Sequence, residues 1–181
     1  MGPSGSGKSM LLKCAAGIIP CDEGRVRFEG KNIARMRERE IRELRRNHGF
    51  VFQDAALWQN LTVLQNLTLP LQYHYPEMSA GEIHSRIEGL LEITGFSEDL
   101  SLRPASLSLG ECKMASFIRA LVLNPSLIFM DEPTGGIDPQ SRRAILDSVK
   151  DLNRQGMTVL YTTHYMEEAQ ELSDRVGIIN H

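Results

Sequence analysis

Gly2-Pro3-Ser4-Gly5-Ser6-Gly7-Lys8-Ser9 satisfies the pattern G-x-x-x-x-G-K-[ST], and the rest of the chain takes its meaning from these eight residues. The glycines let successive backbone N–H groups converge on phosphate oxygens without a Cβ in the way. The helix expected from Gly7 to Gly17 adds the partial positive charge of its N-terminus. Gly2, Pro3, Ser4, Gly5, Ser6, Gly7, Lys8 and Ser9 are therefore read as one phosphate-binding loop. Lys8 is expected to reach the terminal phosphates and the Ser9 hydroxyl to ligate Mg2+. Met10, Leu11, Leu12 and Cys14 are expected to be partly buried on the following helix. A loop of this kind normally follows a strand, and here only Met1 precedes it.

Leu127-Ile128-Phe129-Met130 is a short apolar strand that runs into Asp131 and Glu132. Strand ends in open parallel sheets face the ligand crevice, which puts two carboxylates there. Asp131 is read as the second metal anchor and Glu132 as the residue that orients and polarises an attacking water.

Around these two motifs strands and helices alternate. Strands are expected at Arg25 to Phe28, His48 to Phe52, Leu127 to Met130, Thr158 to Thr163 and Val176 to Ile179. Helices are expected at Arg35 to Arg46, Leu61 to Pro70, Ser79 to Thr94, Ser108 to Leu123, Pro139 to Arg154 and Tyr165 to Leu172. Ser79 with Glu82 and Ser108 with Glu111 are capping-box pairs that mark two helix starts. The alternation predicts an α/β fold with a parallel-sheet core. The almost wholly helical stretch 57–122 is read as a helical subdomain inserted into it.

Composition agrees and excludes several classes. The chain has 181 residues, 41% hydrophobic and 24% charged, too apolar for a disordered segment. A net charge of −3 argues against nucleic-acid binding driven by bulk positive charge, and no nucleic-acid partner is expected. The arginines of residues 35–46 interleave with Glu38, Glu40 and Glu43, which makes a solvated helix face. No apolar run approaches the ~20 residues of a membrane span, and no apolar h-region stands at the N-terminus. Three cysteines, Cys14, Cys21 and Cys112, lack zinc spacing and suit a reducing compartment.

In this order and spacing the motifs resemble those of the ATP-binding-cassette (ABC) ATPases, over nearly the whole chain. Gln53 matches the family's Q-loop glutamine, and Leu107-Ser108-Leu109-Gly110-Glu111 occupies the place of its Leu-Ser-Gly-Gly-Gln signature. Gly136-Ile137-Asp138 matches the D-loop, and His164 the switch histidine. The resemblance implies a P-loop NTPase core of the RecA-like kind and ATP hydrolysis with Mg2+. Glu132, His164 and Gln53 would be catalytic, and Ser9, Gln53 and Asp131 would hold the metal. Ser108, Gly110 and Asp138 would contact nucleotide across a dimer. It further implies a second ATPase subunit, homo- or heterodimeric, and a membrane permease gripped by the helical subdomain. The protein would then be cytoplasmic, peripheral on the inner face of the cell membrane. Residues 35–53 resemble the lipoprotein-release and cell-division branch. Ala56 to Leu67 followed by Leu69-Pro70-Leu71 is closer to Mla-type lipid-asymmetry ATPases, which implies a phospholipid or related lipid cargo. The alternative is a nucleotide-binding regulator with weak hydrolysis, motivated by Leu109 and Glu111. Against the family pattern, residues 1–181 read as one cassette domain incomplete at both ends.

Overall fold

A three-stranded parallel sheet carries the candidate site on the C-terminal ends of its strands. In the computed structural model, which describes residues 1–179, the chain begins with the loop at residues 2–7 and helix α1 (Lys8–Ala15). A small antiparallel hairpin, β1 (Arg27–Phe28) with β2 (Lys31–Asn32), follows. Helix α2 (Glu38–Asn47) leads into β3 (His48–Val51). Three helices come next: α3 (Val63–His74), α4 (Ala80–Thr94) and α5 (Leu109–Leu121). The chain returns to the sheet as β4 (Leu127–Asp131), crosses back through α6 (Pro139–Arg154) to β5 (Thr158–Thr162), and continues into α7 (Met166–Leu172).

The register pairs His48 with Leu127 and Leu127 with Thr158, so β3, β4 and β5 start level with one another. β4 is central, and four of its five residues are buried. That explains its continuous apolar run, since a parallel strand is covered on both faces. Val51, Ile128 and Met130 of the sheet join Phe117 and Ile118 of α5, Leu67 and Leu71 of α3, and Ile145 of α6 in one core.

Several expectations are corrected. Helix α3 runs through Pro70 to His74 instead of stopping there. An interior proline costs about 3 kcal/mol, and full burial of a leucine stabilises by about 1.5–3 kcal/mol. Leu67 and Leu71 flank the proline at 0% exposure, so packing on both sides offsets the break. In α1 Leu12 is buried and Cys14 partly buried as expected, but Met10 and Leu11 are 62% and 59% exposed, because Lys8 and Leu12 share the inward face. The strand expected from Arg25 is cut to Arg27–Phe28 because its partner β2 gives way to a 3-10 turn at Ile33–Arg35 after two residues. α2 begins at Glu38, after a 3-10 turn at Ile33–Arg35, and α5 ends at Leu121. Val176 to Ile179 does not form a strand. It makes two hydrogen bonds with Met1, from the terminal ammonium to Gly177 O at 2.6 Å and from Ile179 N–H to Met1 O at 2.9 Å. Two bonds to a single residue do not build a ladder.

His48 gives the fold a pH dependence. Its ring is edge-on to Phe28 and Phe129, at 4.5 and 5.7 Å, and both ring nitrogens are buried without a partner. Burial pushes its pKa below the usual 6.5. The unfolded chain therefore takes up a proton, as pH falls through 6.5, that the folded chain resists. Thermal melts at pH 7.5 and 5.5 should show lower stability at the acid end, and His48→Leu should shrink that difference. Burial depresses His74 in the same direction, so the variant removes only part of the slope.

Candidate active site

Four chain segments converge where the C-terminal ends of β4 and β5 meet the start of α1. Gly5 and Gly7 have φ of 81° and 89°, a left-handed backbone that a side chain resists, and Gly7 is the N-cap residue of α1. With no side chain capping that terminus, its first N–H groups face outward, as anion binding needs. α1 packs against β4 and β5, which brings Lys8 and Ser9 to the acidic strand end.

Ser9 Oγ donates to Asp131 Oδ1 at 2.8 Å. Lys8, only 4% exposed, donates from Nζ to Pro3 O at 2.8 Å and lies 3.1 Å from Glu132 Oε1. The other Glu132 oxygen, Oε2, is 3.2 Å from His164 Nδ1. One carboxylate is thus bracketed by an ammonium and an imidazole, while its neighbour Asp131 sits beside a hydroxyl. Ser6 Oγ in the same loop is buried and has no partner. The set fits a triphosphate with a hard cation: Ser9 and Asp131 offer adjacent oxygen donors, and the loop offers N–H groups, an ammonium and an unsatisfied hydroxyl. No group of three or more His, Cys, Asp or Glu able to hold a metal occurs among the described residues. Such a cation would therefore lean on phosphate oxygens and water as well as on protein.

The second group of expected residues lies elsewhere. Ser108 is the N-cap of α5, its Oγ accepting from Glu111 N–H at 3.2 Å, while Ser108 N–H donates to Glu111 Oε2 at 2.6 Å. The hydroxyl proton of Ser108 is left free for an outside acceptor. Asp138 caps α6, its Oδ1 accepting from Ser141 N–H at 2.9 Å, and hydrogen bonding from the Ser141 side chain and N–H holds its carboxyl below the usual carboxylate range. A Cβ on Gly110 would collide with Ser141 and come within 3.0 Å of Asp138 Oδ2, so the start of α5 and the start of α6 touch only because residue 110 is glycine. Ser108, Gly110 and Asp138 line a cleft of about 340 Å³. A larger cleft of about 730 Å³, beside β5 and residues 171–175, contains none of the expected site residues.

Gln53 is exposed at the end of β3 and makes no side-chain hydrogen bond to Ser9, Asp131 or Glu132. The structure thus brings Lys8, Ser9, Asp131, Glu132 and His164 together, sets Ser108, Gly110 and Asp138 together in a second place, and leaves Gln53 outside both.

Residue-by-residue reading misses the groups that hold this site in shape. Thr162 Oγ1 donates to Asp131 Oδ1 at 2.8 Å, and Glu132 N–H donates to Thr162 O at 3.2 Å. Glu132 has φ of 42°, a left-handed conformation that costs a non-glycine residue about 1–3 kcal/mol. Lys113, 2% exposed, donates to Glu132 O at 3.2 Å and Gly135 O at 2.5 Å. Arg119 grips Ala56 O and Ala55 O at 2.8 and 3.1 Å; both alanines are left-handed, with φ of 47° and 62°. Behind His164, the carboxylate of Glu168 is 1% exposed and fully engaged. It accepts from Thr134 Oγ1 at 2.6 Å, Thr163 Oγ1 at 2.7 Å, Arg142 Nε at 2.9 Å and Tyr161 OH at 3.0 Å. The β-branched stretch 158–163 was the available signal for Thr162 and Thr163, since hydroxyls at the buried end of a strand need partners.

Comparison with known proteins agrees with this geometry. A family profile described as "ABC transporter" matches residues 1–135. The methionine import ATP-binding protein MetN of Mesorhizobium japonicum is 40% identical over 181 residues, covering 99% of this chain and 49% of that protein. The linearmycin resistance ATP-binding protein LnrL of Bacillus subtilis is 39% identical over 180 residues, covering 99% of this chain and 56% of that one. The chain spans about half the length of the curated relatives it matches. Among solved structures, the ATP-binding cassette MJ0796 as a dimer in a post-hydrolysis state with ADP and Pi superposes with a TM-score of 0.86 at 34% identity. It covers 94% of this chain and 75% of that one. With a phosphate loop joined to Asp131 and Glu132 on a parallel sheet, and with these relatives, the chain belongs to the ABC transporter family of ATP-binding subunits and has its P-loop NTPase fold.

Proposed function

We propose that the chain is the ATP-binding and ATP-hydrolysing subunit of an ABC transporter. The bracketing of Glu132 by Lys8 and His164 is the observation that carries this reading. Gly2 to Ser9 would bind the phosphates, with Lys8 Nζ leaving Glu132 for the phosphate oxygens. Ser9 and Asp131 would hold Mg2+, which when bound supplies Lewis-acid charge at the phosphates. Glu132, freed from Lys8, would then orient and polarise the attacking water, and His164 would steady the charge that develops beside it. Gln53 is assigned to metal and water as well; it would have to swing inward from its exposed position.

The separation of Ser108, Gly110 and Asp138 from the phosphate loop supports a two-subunit sandwich. In it each α5 N-terminus faces nucleotide held by the other subunit. MJ0796 is a dimer in both of the solved structures compared. A membrane permease would be the third partner, gripped by the helical subdomain at residues 57–122, with the protein on the cytoplasmic face of the membrane. No helix among the described residues is long and apolar enough to cross a membrane. ATP hydrolysis by the purified chain, dependent on Mg2+, tests the central reading; a chain that binds no nucleotide overturns it.

The cargo is a finer question. The likeness of Ala56 to Leu67 to lipid-asymmetry ATPases favours a lipid, and Trp58, 58% exposed, suits contact with a membrane subunit. The relatives MetN and LnrL are named for methionine import and linearmycin resistance. Co-purification of the permease with bound lipid supports the first; an amino-acid permease replaces it.

Leu109 and Glu111 stand where the family has glycine and glutamine. Glu111 places its carboxylate at the α5 N-terminus, where it would oppose a partner's phosphates, and Leu109 is 49% exposed beside Gly136. The double variant Leu109→Gly/Glu111→Gln keeps an N3 side chain able to complete the capping box and removes the charge. It should raise kcat about two- to tenfold, on the scale of a screened charge near a helix N-terminus. An unchanged or lower steady-state rate rejects a weakened signature.

A further inference from the structure

Lys113 has no part in the chemistry above, yet it is among the most deeply buried cations of the chain. Its stem and ammonium are 2% exposed, and both its acceptors are backbone carbonyls rather than a carboxylate. An ammonium is seldom buried this way without a specific use, because carbonyls repay only part of its lost hydration. The carbonyls are those of Glu132 and Gly135, the two ends of the turn that follows β4, which Gly135 N–H already closes onto Glu132 O at 3.1 Å.

Glu132 is the left-handed residue of that turn, held from its N–H side by Thr162 and from its carbonyl side by Lys113. Its carboxylate direction follows from the backbone conformation, so whatever fixes φ aims the side chain. Lys113 also stands three residues after Gly110, on the same face of α5. One turn of that face meets Asp138 and Ser141 of α6, and the next meets Glu132. Arg119, further along the helix, grips the left-handed Ala55 and Ala56 in the same manner.

We infer that Lys113 is a positioning residue: it holds Glu132 in its left-handed conformation and ties the water-polarising carboxylate to the turn of α5 that carries Ser108 and Gly110. This rests on Glu132 having the role assigned above. Burial lowers the Lys113 pKa, and the charges of Glu132 and Glu168 offset part of that shift.

The test is Lys113→Met, which keeps the stem and removes the donors, with Lys113→Arg as the conservative variant. In Lys113→Met, kcat should fall about tenfold or more, because small misplacements at a reacting centre are costly. The Kd for ATP should stay within about twofold, since Lys113 does not touch the phosphate loop. In the nucleotide-free protein, backbone amides of residues 132–136 should exchange with deuterium faster than in the parent. Lys113→Arg should recover both readings. A kcat equal to the parent's, or a lowered kcat with unchanged exchange at 132–136, overturns the inference. If Lys113→Met does not fold, Lys113→Gln, with a single shorter amide donor, carries the same readings. A parent that hydrolyses no ATP removes the functional reading instead, and the exchange comparison alone then decides whether Lys113 holds the turn.

Discussion

Glu132→Gln is expected to lower kcat for ATP hydrolysis by about 10²- to 10⁴-fold, the range for loss of a positioned general base. Glutamine fills the same space and can still bond His164, so the loss isolates the carboxylate. Lys8, which lies 3.1 Å from Glu132 Oε1, loses its counter-charge and is released toward phosphate, so ATP affinity should hold or rise. With binding intact and hydrolysis blocked, the variant should accumulate as an ATP-bound dimer on size-exclusion chromatography. Turnover at the parental rate would mean that another group polarises the water. A variant that stays monomeric with saturating ATP, beside an inactive parent, would favour the regulatory alternative over a hydrolytic sandwich.

Glu168→Ala should cost the fold about 3 kcal/mol, because removing one member of a buried, charge-assisted network strands its partners. Thr134, Thr163, Tyr161 and Arg142 would all lose their shared acceptor. Arg142 keeps a secondary carboxylate, Glu167 Oε2 at 3.8 Å, which limits the loss on that side. In a domain of this size the change corresponds to a fall of about 6–12 °C in Tm. Glu168→Gln, which keeps two acceptor lone pairs but no charge, should fall between the parent and the alanine variant. A shift under about 2 °C for Glu168→Ala would show that the hydroxyls and Arg142 find water instead.

How much of this was legible in the residues depended on distance along the chain. The Ser79–Glu82 and Ser108–Glu111 capping boxes form as expected because donor and acceptor lie within one helical turn. A third box, Thr62 with Gln65, was equally local and was passed over because the apolar run was taken to begin at Leu61. The strand ending in Asp131-Glu132 was legible because full burial imposes an unbroken apolar run. Pro70 misled because proline's cost is local while Leu71's burial is tertiary. The Lys113 clasp and the Glu168 network were invisible for the same reason: each joins groups brought together by the finished packing, and no pattern along the chain marks a lysine for a carbonyl 19 residues away. The candidate site divides the same way. Which residues to nominate could be read from motifs. Which of them touch could not, and Gln53 shows the difference.

The hydrogen bond from Ser9 to Asp131 spans 122 positions, and the sheet pairing of β3 with β4 spans the whole helical middle of the chain. Closing loops of that length is entropically demanding and tends to come late in folding. The two halves of the candidate site are therefore brought together only when the long-range topology is complete, and no early fragment owns it. A ligand bridging residues 2–9 and 131–132 would act as a clasp on the entire chain: its binding free energy would be spent against global opening, and nucleotide in the cell would help decide how long each molecule survives proteolysis.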